Sequence, residues 1–83
     1  MNQEQRMNEV AGEVIDLLEG HEESADIIIL LLKVRNRGEG AEFPAPQYED
    51  LIAPIESVLD ASGLEPVEID RLLNRVYSTF MDC

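Results

Sequence analysis

Apolar residues recur at helical spacing in three segments of the chain. In the first, Met7, Val10, Val14 and Leu17 follow one another at intervals of three or four residues, which is typical of one face of an α-helix. Two later segments show the same spacing, with apolar residues at Tyr48, Leu51, Ile52, Ile55, Val58 and Leu59, and at Ile69, Leu72, Leu73, Val76, Tyr77 and Phe80. The pattern predicts helices over residues 3–19, 46–62 and 66–81.

A fourth segment, residues 24–37, differs because its apolar residues are continuous. Ile27 to Leu32 are six large aliphatic residues in a row, followed by Val34. A buried strand would fit such a run, but no second strand-like run is present to pair with it, so we predict a helix. Its apolar arc would cover most of the circumference, whereas a surface helix needs somewhat over 100°. Either the other helices surround this one, or one flank is left for another chain.

Glycine, proline and serine mark the predicted helix ends. A glycine follows each of the first three helices: Gly20, Gly38 and Gly63. Such residues favour the left-handed conformation that ends a helix. Ser24 suits an N-cap and Pro66 the first residue of a helix. Pro54 falls inside the third helix, where we expect a kink or a break rather than loss of the helix.

These elements predict an all-α protein of one domain, residues 1–83. Short turns join the first helix to the second and the third to the fourth, which predicts a small four-helix bundle of two α-hairpins. A chain of 83 residues buries only about 60% of its unfolded surface, so a partner or a second copy would add stability. With few aromatic residues and no tryptophan, the core should consist of Leu, Ile and Val.

Charge narrows the range of partners. The chain has 18 acidic and six basic residues, and its net charge is −12. Binding to a nucleic-acid backbone or an anionic membrane needs clustered cations, so we expect neither, whereas a basic protein surface would attract the chain. Three of the six bases, Lys33, Arg35 and Arg37, end the second helix, where they complement the helix dipole.

Acidic residues form rows on the first and third helices. Residues 39–70 hold nine acids and no base, although most protein surfaces intersperse the two signs. The predicted acidic surface comprises Glu9, Glu13, Asp16, Glu19, Glu49, Asp50, Glu56 and Asp60. It is either a solvated face or a surface shaped for a basic site, because helical rows space carboxylates about 4.5 to 6 Å apart along the axis.

Catalytic and metal-binding residues are not expected. His21 is the single histidine and lies in a turn, Ser24 has no nearby base, and Cys83 is the last residue. The spacings of EF-hands and di-iron bundles are absent from the sequence, so we expect no cofactor and no enzymatic activity. The N-terminus lacks a signal-peptide pattern, and the aliphatic run is far shorter than the roughly 20 residues that span a bilayer. A cytoplasmic location is the expectation.

Two functions follow as hypotheses. The first is a non-enzymatic regulatory or antagonist protein that binds another protein, and also itself as a homodimer. Its contact residues would be Ile28, Ile29 and Leu32 of the second helix and Phe43, Pro44 and Pro46 of the following loop. Acidic residues would steer the approach. The alternative is a nucleic-acid mimic that occupies a basic site; in composition alone, the chain is similar to phage-encoded anti-restriction and anti-CRISPR proteins.

Overall fold

Four α-helices make up almost all of the described structure. The computed structural model describes residues 3–39 and 46–81. The helices are α1 (Gln3–Leu18), α2 (Ala25–Asn36), α3 (Pro46–Ala61) and α4 (Pro66–Met81), and a single 3₁₀ turn, Glu22–Ser24, precedes α2. No strand occurs in these two ranges. The prediction of an all-α four-helix bundle is confirmed, and the helix bounds differ from the predicted ones by at most one residue.

The principal helix contacts do not join helices that follow each other across a short turn. Instead α1 packs against α3 and α4, and α2 packs against α4 most extensively and against α3. The two helices joined by a short turn, α1 with α2 or α3 with α4, therefore contact each other less than they contact the helices of the other pair. The predicted pairing into α-hairpins is refined accordingly. The helices of the first half, α1 and α2, pack mainly against those of the second half, α3 and α4.

Polar contacts give the helix directions. Gln3 and Asn8 of α1 hydrogen-bond to Glu68 and Arg75 of α4 in the same order, so the two helices run in the same general direction. The Arg6 guanidinium of α1 donates to the Ser62 carbonyl at the end of α3 (3.5 Å). The start of α1, the end of α3 and the start of α4 thus meet at one end of the bundle.

The core is aliphatic, as predicted. Fifteen hydrophobic residues are buried in the described part of the chain: Val10, Ala11, Val14, Leu18, Ala25, Ile28, Ile29, Leu32, Ile52, Ile55, Leu59, Ile69, Leu72, Leu73 and Val76. No polar or charged side chain among the described residues is buried with them. Removal of these aliphatic groups from water is the main source of stability in a fold of this kind.

Glycine ends α2 in the predicted way. Gly38 has a φ of 80°, a value that residues with a Cβ adopt at a cost. The N–H of Gly38 donates to the Arg35 carbonyl (2.9 Å), and the N–H of Glu39 donates to the Val34 carbonyl (3.1 Å). This pair of bonds is a Schellman motif.

The start of α2 differs in detail from the expected cap. Ser24 occupies the N-cap position, but its side chain makes no cap hydrogen bond. The 3₁₀ turn takes over this role, because the N–H of Ala25 donates to the Glu22 carbonyl. The position was predicted correctly and the capping group was not.

Pro54 does not break α3. The helix is continuous from Pro46 to Ala61 with Pro54 inside it. A proline has no N–H to donate to the carbonyl four residues earlier, which here belongs to Asp50. Both residues lie on the exposed side of α3, where water can satisfy that carbonyl and no neighbouring helix meets the proline ring.

Candidate protein-binding surface

The inner face of α2 lies in the core. Ala25, Ile28, Ile29 and Leu32 repeat at intervals of three and four residues, and each is at most 2% exposed. Ile28, Ile29 and Leu32 were predicted to contact another protein. Their burial against the other helices removes them from any surface, so a protein contact through α2 has to use another face of the helix.

The opposite face of α2 carries a second aliphatic stripe with the same spacing. It consists of Ile27, Leu30, Leu31 and Val34, which we call the outer stripe. Leu30 is 59% exposed and Ile27 is 36% exposed, while Leu31 and Val34 are half-buried. Residues at these intervals project from one side of a helix, so the stripe is a continuous aliphatic surface about two turns long.

Sequence reasoning chose the buried stripe of α2 for a physical reason. When six consecutive residues are aliphatic, the residues at 25, 28, 29 and 32 and those at 27, 30, 31 and 34 form equally apolar stripes. The local pattern then contains no signal that separates the buried stripe from the exposed one. Only the positions of α3 and α4 decide between them.

Exposed apolar residues of α4 lie near the outer stripe. The Lys33 ammonium donates to the Asn74 side-chain carbonyl and lies 5.9 Å from the centre of the Tyr77 ring. Tyr77 and Met81 are themselves exposed. Because α2 and α4 run in opposite directions here, one turn back along α2 corresponds to one turn forward along α4. Counted from the Lys33–Asn74 and Arg37–Asp70 contacts, this places Leu30 at the level of Tyr77.

The basic end of α2 ties this helix to its neighbours. Arg35 forms an ion pair with Glu56 of α3, and Arg37 lies 3.8 Å from the Asp70 carboxylate of α4. The Asn36 amide donates to the Pro66 carbonyl at 2.8 Å. The cluster Lys33 to Arg37 therefore anchors α2 across the bundle, a role that the helix dipole alone did not suggest.

The predicted acidic residues lie on more than one face. Glu9 and Glu13 line a groove between α1 and α3, together with Arg6 and Val58. Asp16 and Glu19 are exposed at and just beyond the end of α1.

The acidic residues of α3 are divided between two sites. Glu56 and Asp60 line a separate groove between α2, α3 and α4, and Glu56 is engaged with Arg35. Glu49 and Asp50 are exposed in the first turns of α3. The carboxylates at the two grooves thus belong to separate faces, and the eight do not form one patch.

Few of the carboxylates are neutralised by a nearby cation. Arg35–Glu56 and Arg37–Asp70 are the ion pairs among residues 3–39 and 46–81. Arg6 and Arg75 bond to a carbonyl and to the Asn8 side chain between helices. Because five of the six cations make contacts between helices, the exposed carboxylates dominate the outer potential.

Two of the predicted loop residues, Phe43 and Pro44, lie outside the described residues. Pro46 is the first residue of α3 and is exposed. It is therefore accessible to another molecule, at the end of α3 that also carries Glu49 and Asp50.

The turn before α2 contains the histidine and a perturbed carboxyl. His21 is exposed. The backbone N–H groups of Glu22 itself and of Gly20 bond to the Glu22 carboxylate, with Gly20 N at 3.2 Å, and hold the pKa of that carboxyl below its ordinary value. Within the described ranges, no three His, Cys, Asp or Glu side chains lie close enough together to hold a metal ion. The turn shows no acid–base pair or ligand set.

None of the helices in the described part of the chain combines the length and apolar character needed to cross a membrane. Comparisons with protein-family models, with curated proteins and with solved structures found no match to this chain. Any functional conclusion therefore depends on the surfaces described above.

Proposed function

We propose that this chain is a non-enzymatic regulatory or antagonist protein that acts by binding another protein through the outer stripe of α2. Self-association through the same surface is the companion of this proposal. The observation that carries it is the exposure of Leu30 and Ile27 on a helix whose core contacts are already complete on the opposite face. Contiguous exposed apolar surface on a small protein is characteristic of interaction sites.

The chemistry of the stripe supports a protein as the ligand. Its lining is aliphatic, and the exposed aromatic ring of Tyr77 on α4 lies at the level of Leu30. Aromatic residues and methionine are enriched where proteins bind each other. The grooves of the described structure are open and lined by mixed charged and apolar side chains, which suits a protein surface better than a small molecule.

Acidic residues would act on the approach of the partner. The exposed carboxylates of α1 and α3 create a negative potential around most of the molecule, which attracts basic surfaces and raises the rate of encounter. A loss of charge on α1 is then expected to slow association, whereas a change at Leu30 should shorten the lifetime of the complex.

Capture from the native host tests the proposal with a matched pair of variants. Leu30 and Val67 are 59% and 60% exposed, and only Leu30 belongs to the outer stripe. We expect the wild-type chain and Val67→Glu to capture the same protein, identified by mass spectrometry, and Leu30→Glu to lose it. Equal capture by all three baits, each with wild-type helicity by circular dichroism, would contradict the proposal.

Mimicry of a nucleic acid is the second candidate function. It is favoured by the row Glu9, Glu13, Asp16 and Glu19, which is exposed along α1 and has no ion-pair partner among the described residues. Replacement of Glu9, Glu13 and Asp16 by lysine should abolish binding by a mimic. The same replacement should only slow association if the outer stripe makes the contact. A steep loss of binding to the captured protein at about 0.5 M salt would favour mimicry.

A further inference from the structure

We infer that the outer stripe binds a second copy of this chain, with the two α2 helices antiparallel about a twofold axis that passes between Leu30 and Leu31. The inference rests on the proposed function, since it takes the same stripe as the docking surface. It adds the geometry of the contact and the reason why a second copy is the preferred occupant. Three features of the described residues support it: local charge, the order of the charges along α2, and the shape of the apolar surface.

Net charge opposes self-association through α1 and α3 but not through α2. Residues 22–37 contain three acids, Glu22, Glu23 and Asp26, and three bases, Lys33, Arg35 and Arg37, so their net charge is zero. The other fifteen acids and three bases carry the whole charge of −12. Two copies that approach by α1 or α3 repel each other. The outer stripe lies on α2 and next to α4, whose residues 66–81 hold two acids and two bases, so this repulsion is weaker there.

The order of charges along α2 is self-complementary. Asp26, Lys33 and Arg37 are separated by seven and four residues, which places them on one flank of the helix at successive levels. Acid therefore lies at the start of the stripe and base at its end. When a second α2 lies antiparallel about the proposed axis, Asp26 of each copy comes level with the space between Lys33 and Arg37 of the other copy. A parallel arrangement would instead place like charges opposite each other.

The apolar residues fit the same arrangement. Ile27 and Val34 are equally distant from the midpoint of the stripe, so an antiparallel copy places Ile27 of one chain opposite Val34 of the other. Leu30 and Leu31 meet at the axis. Leu30 is the most exposed residue of the stripe, and its central position gives it the largest burial on association.

A basic partner protein fits the stripe less well than a second copy does. Steering toward a cationic surface depends on excess negative charge, and the segment around the stripe has none. That excess lies on α1 and α3. The occupant with the matching charge pattern is the chain itself.

The size of the stripe sets the expected strength of the dimer. A standard interface buries about 800 Å² on each partner, and two turns of one helix with the neighbouring α4 residues offer less than this. We therefore expect a reversible dimer whose population changes between about 1 µM and 1 mM protein.

Sedimentation velocity across this concentration range tests the inference on the full chain. The wild-type chain and Val67→Glu are expected to shift from monomer to dimer together, and Leu30→Glu to remain monomeric throughout. A wild-type chain that is monomeric at about 1 mM would overturn the inference, as would a Leu30→Glu variant that dimerises like the wild type. Circular dichroism of each variant establishes that the helices are retained.

A charge swap tests the antiparallel geometry. Asp26→Lys places like charges together at both ends of the contact and should weaken the dimer about tenfold. Addition of Arg37→Glu to the same chain restores opposite charges and should recover most of the affinity. The Arg37 side chain is 55% exposed, but Arg37→Glu also sets a carboxylate near Asp70, which lies 3.8 Å from Arg37, so circular dichroism checks that the double variant keeps its helices. A double variant that is weaker than Asp26→Lys alone would contradict the antiparallel arrangement.

The two proposals can fail separately. A chain that stays monomeric, yet loses its captured host protein when Leu30→Glu is introduced, would overturn the dimer and leave the proposed function intact. A chain that dimerises through Leu30 and captures no other protein would support the dimer and contradict a regulator of a second protein.

Discussion

The inner and outer faces of α2 have nearly the same composition and opposite surroundings. Ala25, Ile28, Ile29 and Leu32 are enclosed by the other helices, whereas Ile27 and Leu30, one position away in the sequence, contact solvent. Side-chain chemistry does not separate the two sets. The difference shows that the described helices of this small bundle cover one face of its most apolar helix and leave the other in contact with solvent.

The two faces of α2 have separate roles: the inner face stabilises the fold, and the outer stripe is the proposed binding surface. Burial of the inner face lowers the free energy of the folded state, because aliphatic groups leave water. The exposed side chains of the outer stripe stay in contact with water and so do not lower the free energy of the folded monomer in this way. The stripe's aliphatic character gains a physical role when another surface covers it, so substitutions on the two faces should affect different measurements.

The largest expected effect is a loss of core packing on the inner face. Ile28→Ala should lower the free energy of unfolding by about 2 to 5 kcal/mol, since Ile28 is fully buried and its truncation leaves a cavity. Ile27→Ala removes the same atoms from the outer stripe and should cost less than about 1 kcal/mol. Urea unfolding at low protein concentration measures both. Similar losses for the two variants would show that the faces are not distinct.

A gain in stability is expected on the outer side of α1, which is polar where α2 is aliphatic. Gly12 is exposed within α1, and a Cβ added there meets no atom within 4 Å. Gly12→Ala should raise the free energy of unfolding by about 0.5 to 1 kcal/mol, because alanine loses less backbone entropy in a helix. Its dimerisation should equal that of the wild type by sedimentation. A change in dimerisation would mean that α1 also takes part in the contact.

A smaller effect is expected where the flank of α2 meets α3. Glu56→Gln removes the charge that pairs with Arg35, and both side chains are about one-third exposed, so the loss should be about 0.2 to 1 kcal/mol. The loss should shrink in high salt because the pair is screened. Glu49→Gln, at an exposed acid with no ion pair among the described residues, is the matched control. An equal loss of unfolding free energy in Glu49→Gln would contradict a stabilising role for the Arg35–Glu56 ion pair.

The smallest effect is expected in the 3₁₀ turn that precedes α2. Glu22 has a pKa below its ordinary value of 4.5 in the folded chain, so its carboxylate favours folding above that pH. This contribution is lost as the pH falls through the lowered pKa of the folded state. Glu22→Gln should therefore be slightly less stable than the wild type at neutral pH. In acid-unfolding curves the difference should shrink as the pH falls below 4.5 and disappear below the lowered pKa of the folded state. A difference that grows there would contradict the assignment.

Helix positions were predictable from the sequence because their signals are local. Apolar spacing, the glycines after three helices and Pro66 at the start of α4 fixed the bounds to within one residue. The continuity of α3 through Pro54 was less predictable, since it depends on that position facing solvent.

The binding surface and the helix contacts were less predictable because their causes are not local. Which helices pack together depends on all four at once, and no spacing within a segment reports it. The inner and outer faces of α2 differ through those same contacts. For this reason Ile28, Ile29 and Leu32, which are buried, were chosen from the sequence, and not Ile27 and Leu30, which are exposed.

The interlocked packing has a consequence for synthesis of the chain. Since α1 and α2 make their principal contacts with α3 and α4, the first half of the protein has no completed core when it leaves the ribosome. We expect residues 1–38 alone to be unfolded and the whole chain to fold in one cooperative step after α4 is made. Until that step, both faces of α2 are open to chaperones; afterwards, only the outer one is.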